Sequence, residues 1–504
     1  METSKKMEDT KEERKEEIGN PPSQCVLYFR QVSACSPMVN YLFILGLYMG
    51  APIMHILSEA NKESSENIIT PEMASWFPCT SALSSFPWAI ILPLIANRYG
   101  RKASFHLVNI NTVIGTIIFN YSKTLTQLII SQILIGTLVG SVFTVFVMII
   151  SELASPKSRG FILTLISAAF FWGTLTSNFL AKMEARKNII YIVGFCCIFN
   201  AFNFPESPCW LATKNKFEEC AKLHRWIKGT DSNAENHLRI LISNQKTNLN
   251  NTFTKDNKNA DNIIGRMRKV LSSKKFYKPL FYTALTICLY YFSGKLTFTI
   301  YASDIIKNIT KSEEAAYNLM LILNGVTVFC AYVGCYTTCI LKRRTQLLVF
   351  LASGILFLYL LSIYTYIAKL NIVYENEYIY LILFSGFSIS YSCGPLIIGI
   401  SFLIDLIPTQ ERNLFLTLTG IIGSLVLTIV LKITPAIYTT YDSHVLFLFY
   451  AITASVCLFG LYKHLPESKN RIIQQLENVT AQEEEEEDSL SEGLKEVIPL
   501  KSVS

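Results

Sequence analysis

The sequence predicts an all-α membrane protein with about twelve transmembrane helices in two six-helix halves. Three observations carry this prediction. The chain is 51% apolar and only 16% charged. Its charges gather in the opening segment, in a central block from Lys214 to Lys278 and in a tail after Lys463, which leaves long uncharged runs between. The same short polar landmarks then recur, in the same order, in both parts of the chain. A soluble chain of 504 residues would carry more charge and divide it among several domains.

About twenty apolar residues cross the hydrocarbon core of a bilayer. The apolar runs place spans near 39–58, 75–96, 103–121, 126–151, 160–181 and 188–204. After the central block come 279–301, 316–340, 346–368, 378–404, 413–436 and 443–462. An even number of crossings puts both termini on one side, and the excess of Lys and Arg at span ends assigns that side to the cytoplasm. Residues 1–38 then form a cytoplasmic segment, 39–204 the first half, 205–278 a cytoplasmic linker with short helices, 279–463 the second half and 464–504 an acidic cytoplasmic tail.

The opening residues alternate Lys and Glu with no apolar stretch before Tyr41, so they do not read as a cleaved signal peptide. After the helix-like stretch Phe217 to Lys228, the linker is rich in Asn, Lys and Ser and too polar to bury a core of its own. Glu483 to Asp488 reads as a solvated acidic run.

Several function classes are excluded. The net charge of +7 comes with no basic patch interleaved with aromatics, so nucleic acid is not a partner. Most of the thirteen Cys lie in apolar runs, where a thiol is a small apolar filler. Cys335 and Cys339 sit one helical turn apart without a His, which favours packing over a metal site. With no nucleophile–base pair, phosphate loop or metal cluster, neither an enzyme nor a cofactor site is expected.

The repeat is carried by charge. The fourth span of the first half ends in Ser151-Glu152 through Pro156 to Arg159-Gly160, and that of the second ends in Ile404-Asp405 through Pro408 to Arg412. Pro205-Glu206-Ser207-Pro208 follows the sixth span and Pro466-Glu467-Ser468-Lys469 the twelfth. A basic turn joins the second and third spans of each half, as Arg98-Tyr99-Gly100-Arg101-Lys102 and as Lys342-Arg343-Arg344. Any one of these charges could equally mark a helix end that faces water. As a repeated set, Arg101, Glu152, Arg159, Glu206, Arg343, Asp405, Arg412 and Glu467 describe a candidate gate that closes when the halves tilt together. Each exposed pair contributes only about 0–1 kcal/mol, but coupled pairs can bias two conformations a few kcal/mol apart.

Those segments, with Asn97 before the first basic turn and Cys209-Trp210-Leu211 after Pro208, resemble the signatures of the sugar transporter family of the major facilitator superfamily over most of residues 39–470. Thr70-Pro71-Glu72 through Ser75-Trp76 is most similar to the insect facilitated trehalose transporters. The resemblance implies a multi-pass plasma-membrane protein that moves a sugar, such as trehalose or a hexose, across the lipid bilayer by alternating access. Three positions depart from the family pattern. Asn97 and Cys339 stand where acidic residues are usual, and Cys209 where Arg is usual, so the gate is expected to be weaker than in relatives.

The resemblance also implies a substrate path at the midplane. The family's glutamine, asparagine and tryptophan positions match Ser167, Tyr290, Tyr291, Leu296, Thr327 with Asn324 one turn away, and Ile398. The path is therefore less polar than a sugar site usually is, which leaves a less polar solute or a non-transporting sensor as alternatives. Lys295, near mid-span in the seventh helix, should face a cavity or partner, or else snorkel outward beside Asp304. Residues 41–57 hold no carboxylate, whereas proton-coupled relatives carry one in this helix, which favours passive facilitation. The sequons at Asn120 and Asn308 fall on the outside and are possible N-glycosylation sites.

Overall fold

The computed structural model describes residues 23–50, 71–122, 124–155, 158–183, 188–255, 270–301, 305–307, 313–374, 376–407 and 411–464, and among these it is helical with no strand. The first half holds α1 (Gln24–Gly50), α2 (Pro71–Arg98), α3 (Arg101–Tyr121), α4 (Leu125–Leu153), α5 (Arg159–Lys182) and α6 (Ile189–Asn203). Three linker helices follow, α7 (Pro208–Thr213), α8 (Phe217–Lys228) and α9 (Ser232–Lys255). The second half holds α10 (Lys274–Phe292), α11 (Lys295–Ile300), α12 (Glu313–Ile340), α13 (Arg343–Lys369), α14 (Glu377–Cys393), α15 (Pro395–Asp405), α16 (Arg412–Tyr441) and α17 (Ser443–His464).

The halves repeat in their packing as well as in their sequence. α1 lies against α5 and α2 against α4, just as α10 lies against α16 and α12 against α14. Close approach rests on small residues, since a Cβ on Gly46 of α1 or on Gly173 of α5 would overlap the other helix's backbone. Two seams join the halves, α2 on α16 and α5 on α12, and these are equivalent under the repeat.

Among the described residues, eight helices are long and apolar enough to cross a membrane. The other four crossings have particular reasons for falling short. α6 has only 15 residues, and α3 carries Asn109, Asn111 and Thr112 on top of its basic start. The seventh crossing is cut at Ser293-Gly294, where Gly294 adopts φ +82°. The tenth is cut at Gly394, just before Pro395. A helix broken inside a bundle exposes backbone only where protein or a cavity meets it, and such breaks mark transporter binding sites. α4 is interrupted differently, by a π-helical turn over Val142–Phe146. There Phe143 and Thr144 face Gly423 and Gly420 of α16, where no larger side chain would fit.

Two expectations are revised. The first helix begins at Gln24 rather than near 39: Arg30, Gln31 and Ser33 interrupt the apolar run, yet Leu27, Gln31, Ala34 and Cys35 are buried. The linker does hold a small core, because Leu211, Ala212, Cys220 and Leu238 pack together between α7, α8 and α9. On the outside of the bundle, large apolar side chains such as Phe195, Phe202, Phe329 and Phe459 stand exposed, as a lipid-facing surface requires.

A candidate translocation site and gate

At the linker end of the bundle, Glu152 closes α4 with its side chain only 1% exposed. Arg101 donates to it twice, Nε to Oε2 at 3.1 Å and Nη2 to Oε1 at 2.8 Å. Arg101 can do so because Gly100, at φ +109°, turns the chain sharply into α3. Its remaining Nη1 donates to the Ala96 carbonyl at 3.1 Å, which satisfies an orphan acceptor at the end of α2. Arg412, which begins α16 in the other half, donates Nη1 to Glu152 Oε1 at 3.0 Å and Nη2 to the Met148 carbonyl at 2.8 Å. It also reaches Ser151 Oγ. One carboxylate is thus held by two guanidiniums, one from each half.

Glu206 serves the same corner without joining that clamp. It accepts from the backbone N–H of Arg101 at 2.8 Å, from Lys102 and from Ser207 at 3.0 Å, so it caps the positive end of α3. Trp210 Nε1 donates to the Asn97 carbonyl at 3.1 Å and fixes α7 to the same turn. Of the expected gate, the structure brings together Arg101, Glu152, Glu206 and Arg412. Arg159 begins α5 and Arg343 begins α13. Asp405 ends α15, but its side chain lies outside the described residues, as do Glu467 and Asn308. Asn120 is half-buried near the end of α3.

Three neutral side chains at this end, Ser104, Gln346 and Gln31, carry no mark in the sequence. Ser104 Oγ donates to the Leu92 carbonyl at 3.2 Å, and Gln346 Nε2 makes the matching bond to Gly334 at 3.1 Å in the other half. Gln346 Nε2 also reaches the Cys393 carbonyl at 2.7 Å, at the Gly394 break. Gln31 of α1 donates to the Ile227 carbonyl at 3.2 Å and accepts from Ser155 Oγ at 3.0 Å, which ties the linker to the α4–α5 turn. Neutral amides carry no charge signal along a sequence, so nothing singled these out.

The centre of the molecule is organised by Lys295, the first residue after the seventh-helix break. Its side chain does not snorkel. Nζ donates to Thr327 Oγ1 at 2.9 Å and to Ser388 Oγ at 2.8 Å, and it lies 5.8 Å from the centre of the Phe171 ring on α5. A Lys at mid-membrane costs about 2.5–3.5 kcal/mol on insertion scales, and these contacts recover part of that. Lys295, Thr299, Asn324 and Ser388 line a cavity of about 30 Å³ with Phe298, Phe384 and Phe387.

Tyr290 and Tyr291 precede the break with ring centres 5.3 Å apart, and both meet Phe143 of the π-helical turn edge-on. Tyr391 donates to the Tyr290 carbonyl at 3.1 Å, which links the two broken crossings. Ser167 is buried on α5, one turn before Phe171, and its Oγ has no hydrogen-bond partner. Leu296 and Ile398 do not reach the cavity. Leu296 packs into the main core, and Ile398 is fully buried among Leu289, Leu347 and Phe402 inside the second half. Ser388, Thr299 and Phe171 line or face the Lys295 ammonium without having been expected there.

Two repeated six-helix halves, joined by two seams and a clamped charge cluster, define a multi-pass membrane transporter of the major facilitator fold. The proton:xylose symporter XylE bound to 6-bromo-6-deoxy-D-glucose superposes with a TM-score of 0.69 at 15% identity, covering 87% of this chain and 96% of that one. The human organic anion transporter MFSD10 superposes at 0.55 and 11% identity, covering 87% and 99%. At such identities these two show the fold alone.

The chain belongs to the family described as "Sugar (and other) transporter", which matches residues 44–479. The facilitated trehalose transporter Tret1 of Bombyx mori is 24% identical over 81% of this chain and 79% of its own length. The glucose transporter mfs1 of Aspergillus flavus is 25% identical over 32% of this chain, a match that spans only about a third (34%) of that protein. Family and fold point to a transporter rather than an enzyme.

Proposed function

We propose that this protein is a facilitative sugar transporter of the plasma membrane, moving trehalose or a hexose by alternating access, with both termini cytoplasmic. The observation that carries the reading is the clamp on Glu152. Arg412 crosses from one half to the other to reach it, so the linker end is locked by bonds that must break when the halves part there. Seams of this kind have two discrete arrangements rather than a continuum, which is what alternating access requires. The path would run on the Lys295 side past Ser167, Tyr290, Tyr291, Asn324 and Thr327, of which Asn324 lines the cavity and Thr327 holds the Lys295 nitrogen.

Facilitation without proton coupling is supported by α1, whose residues from Gln24 to Gly50 include no Asp or Glu. Among the described residues the only buried carboxylate is Glu152, and it is held in an ion pair. Purified protein in liposomes should equilibrate labelled trehalose or glucose without concentrating it. An imposed pH gradient should leave the steady state unchanged, and accumulation driven by that gradient would refute the uniport reading.

A further inference from the structure

Among the described residues only three Lys, Arg, Asp or Glu side chains are buried: Arg101, Glu152 and Lys295. The first two pair with each other. Lys295 is 5% exposed, and its contacts are two hydroxyls and an aromatic face, none of them a carboxylate. A buried amine held only by neutral groups has no charge partner, so an arriving anion would favour its ammonium form, a condition that packing alone does not explain. Lys295 also lines the small cavity inside the second half, beside Asn324 and Ser388.

We propose that the Lys295 cavity is an anion subsite of this transporter and that, within the hexose class, it favours an acidic sugar, a monosaccharide bearing one carboxylate. The inference rests on the sugar-transport reading above and names its substrate class. A cavity of about 30 Å³ has room for about two waters, which is roughly what a carboxylate displaces. The sugar ring would extend past Asn324, for its hydroxyls, and Phe387, for its apolar face, both on the second half's side of the site. A single cation favours a monoanion. A phosphoryl group, with up to two negative charges and three acceptor oxygens, calls for more donors than one ammonium supplies. The hydroxyls of Thr327 and Ser388 orient the Lys295 nitrogen and bring no opposing charge, so the solute's carboxylate would be its charge partner.

The test is binding to the purified full-length protein, compared across D-glucuronate, D-glucuronamide, D-glucose and trehalose. Glucuronamide has the shape of glucuronate without its charge. Glucuronate should bind about ten- to a hundredfold more tightly than glucuronamide or glucose, the range of one charge-assisted hydrogen bond. Lys295→Met should erase that preference while the protein still elutes as a single folded species, and Lys295→Arg should keep it. Equal binding of glucuronate and glucuronamide to the wild type would overturn the proposal, as would a preference that survives in Lys295→Met. Because binding is read without transport, failure of every sugar to cross liposomes would sink the transport reading alone. Glucose uptake with no glucuronate preference would sink the anion subsite alone.

Discussion

At the scale of single residues, function turns on how few charges the interior holds and how each is matched. Glu152 accepts from Arg101 and Arg412 together, so the loss of either leaves a buried carboxylate half-satisfied. Arg412→Ala removes only the bonds between the halves. It should leave membrane insertion intact and shift the equilibrium toward opening at the linker end by about 1–3 kcal/mol. Modification of a cysteine placed in the opened cleft should therefore quicken by about one order of magnitude. An unchanged modification rate would remove Arg412 from the gate.

Gly100 acts through shape instead. At φ +109°, a Cβ there would overlap Glu206 Oε2, so Gly100→Ala should cost about 1–3 kcal/mol and lower the midpoint of thermal unfolding in detergent. These residues were legible in the sequence because charge and glycine stand out in an apolar chain. Ser388, Phe171, Gln346 and Gln31 were not, since a hydroxyl or amide gains its meaning only from what folds against it.

At the scale of elements, the sequence period finds helices but not their interruptions. The Gly294 and Gly394 breaks reset the facing of every residue that follows, and this is why Lys295 points inward while Ile398 turns into its own half. The π-helical turn in α4 leaves no signature in its apolar residues. The linker helices hide a further device, outside the membrane spans. His224 and His237 stack with ring centres 5.5 Å apart. Burial, and then the Lys228 ammonium, depress both, His224 to about 3 and His237 to about 4. Both are therefore neutral in the folded linker at pH 7. The stability they contribute is present above the ordinary histidine range near 6.5 and is lost as pH falls from there toward 4. Amide exchange in α8 and α9, corrected for its intrinsic pH dependence, should accelerate between pH 6.5 and 5. His237→Gln should blunt that response, and an equal response in the variant would exclude the pair as its source.

At the scale of the whole molecule, the halves meet along both seams. Ser85 Oγ lies 2.8 Å from Ser424 Oγ between α2 and α16, and Lys432 sits 4.0 Å from the Trp76 ring centre on the same seam. Trp172 Nε1 donates to Tyr332 at 3.1 Å between α5 and α12. The cavity beside Lys295 is only about 30 Å³ and is lined from the second half alone, so a sugar ring would pass between the halves only when a seam parts. Cysteines at 85 and 424 should therefore form a disulfide that abolishes uptake, with reductant restoring it. Uptake that persists in the oxidised double variant would show that this seam does not move. The twofold organisation was readable from the repeated charges, whereas the closure of both seams depends on serines and aromatics that the repeat does not mark.

Trans-acceleration tests the account most directly. Liposomes containing the purified protein and loaded with unlabelled trehalose or glucose should take up the same labelled sugar faster than empty ones. The entry should saturate and should need no ion gradient, because a loaded carrier that alternates returns occupied. Purified, folded protein that moves no sugar under these conditions, or that moves it at a rate indifferent to the internal load, would contradict alternating-access sugar transport by this chain.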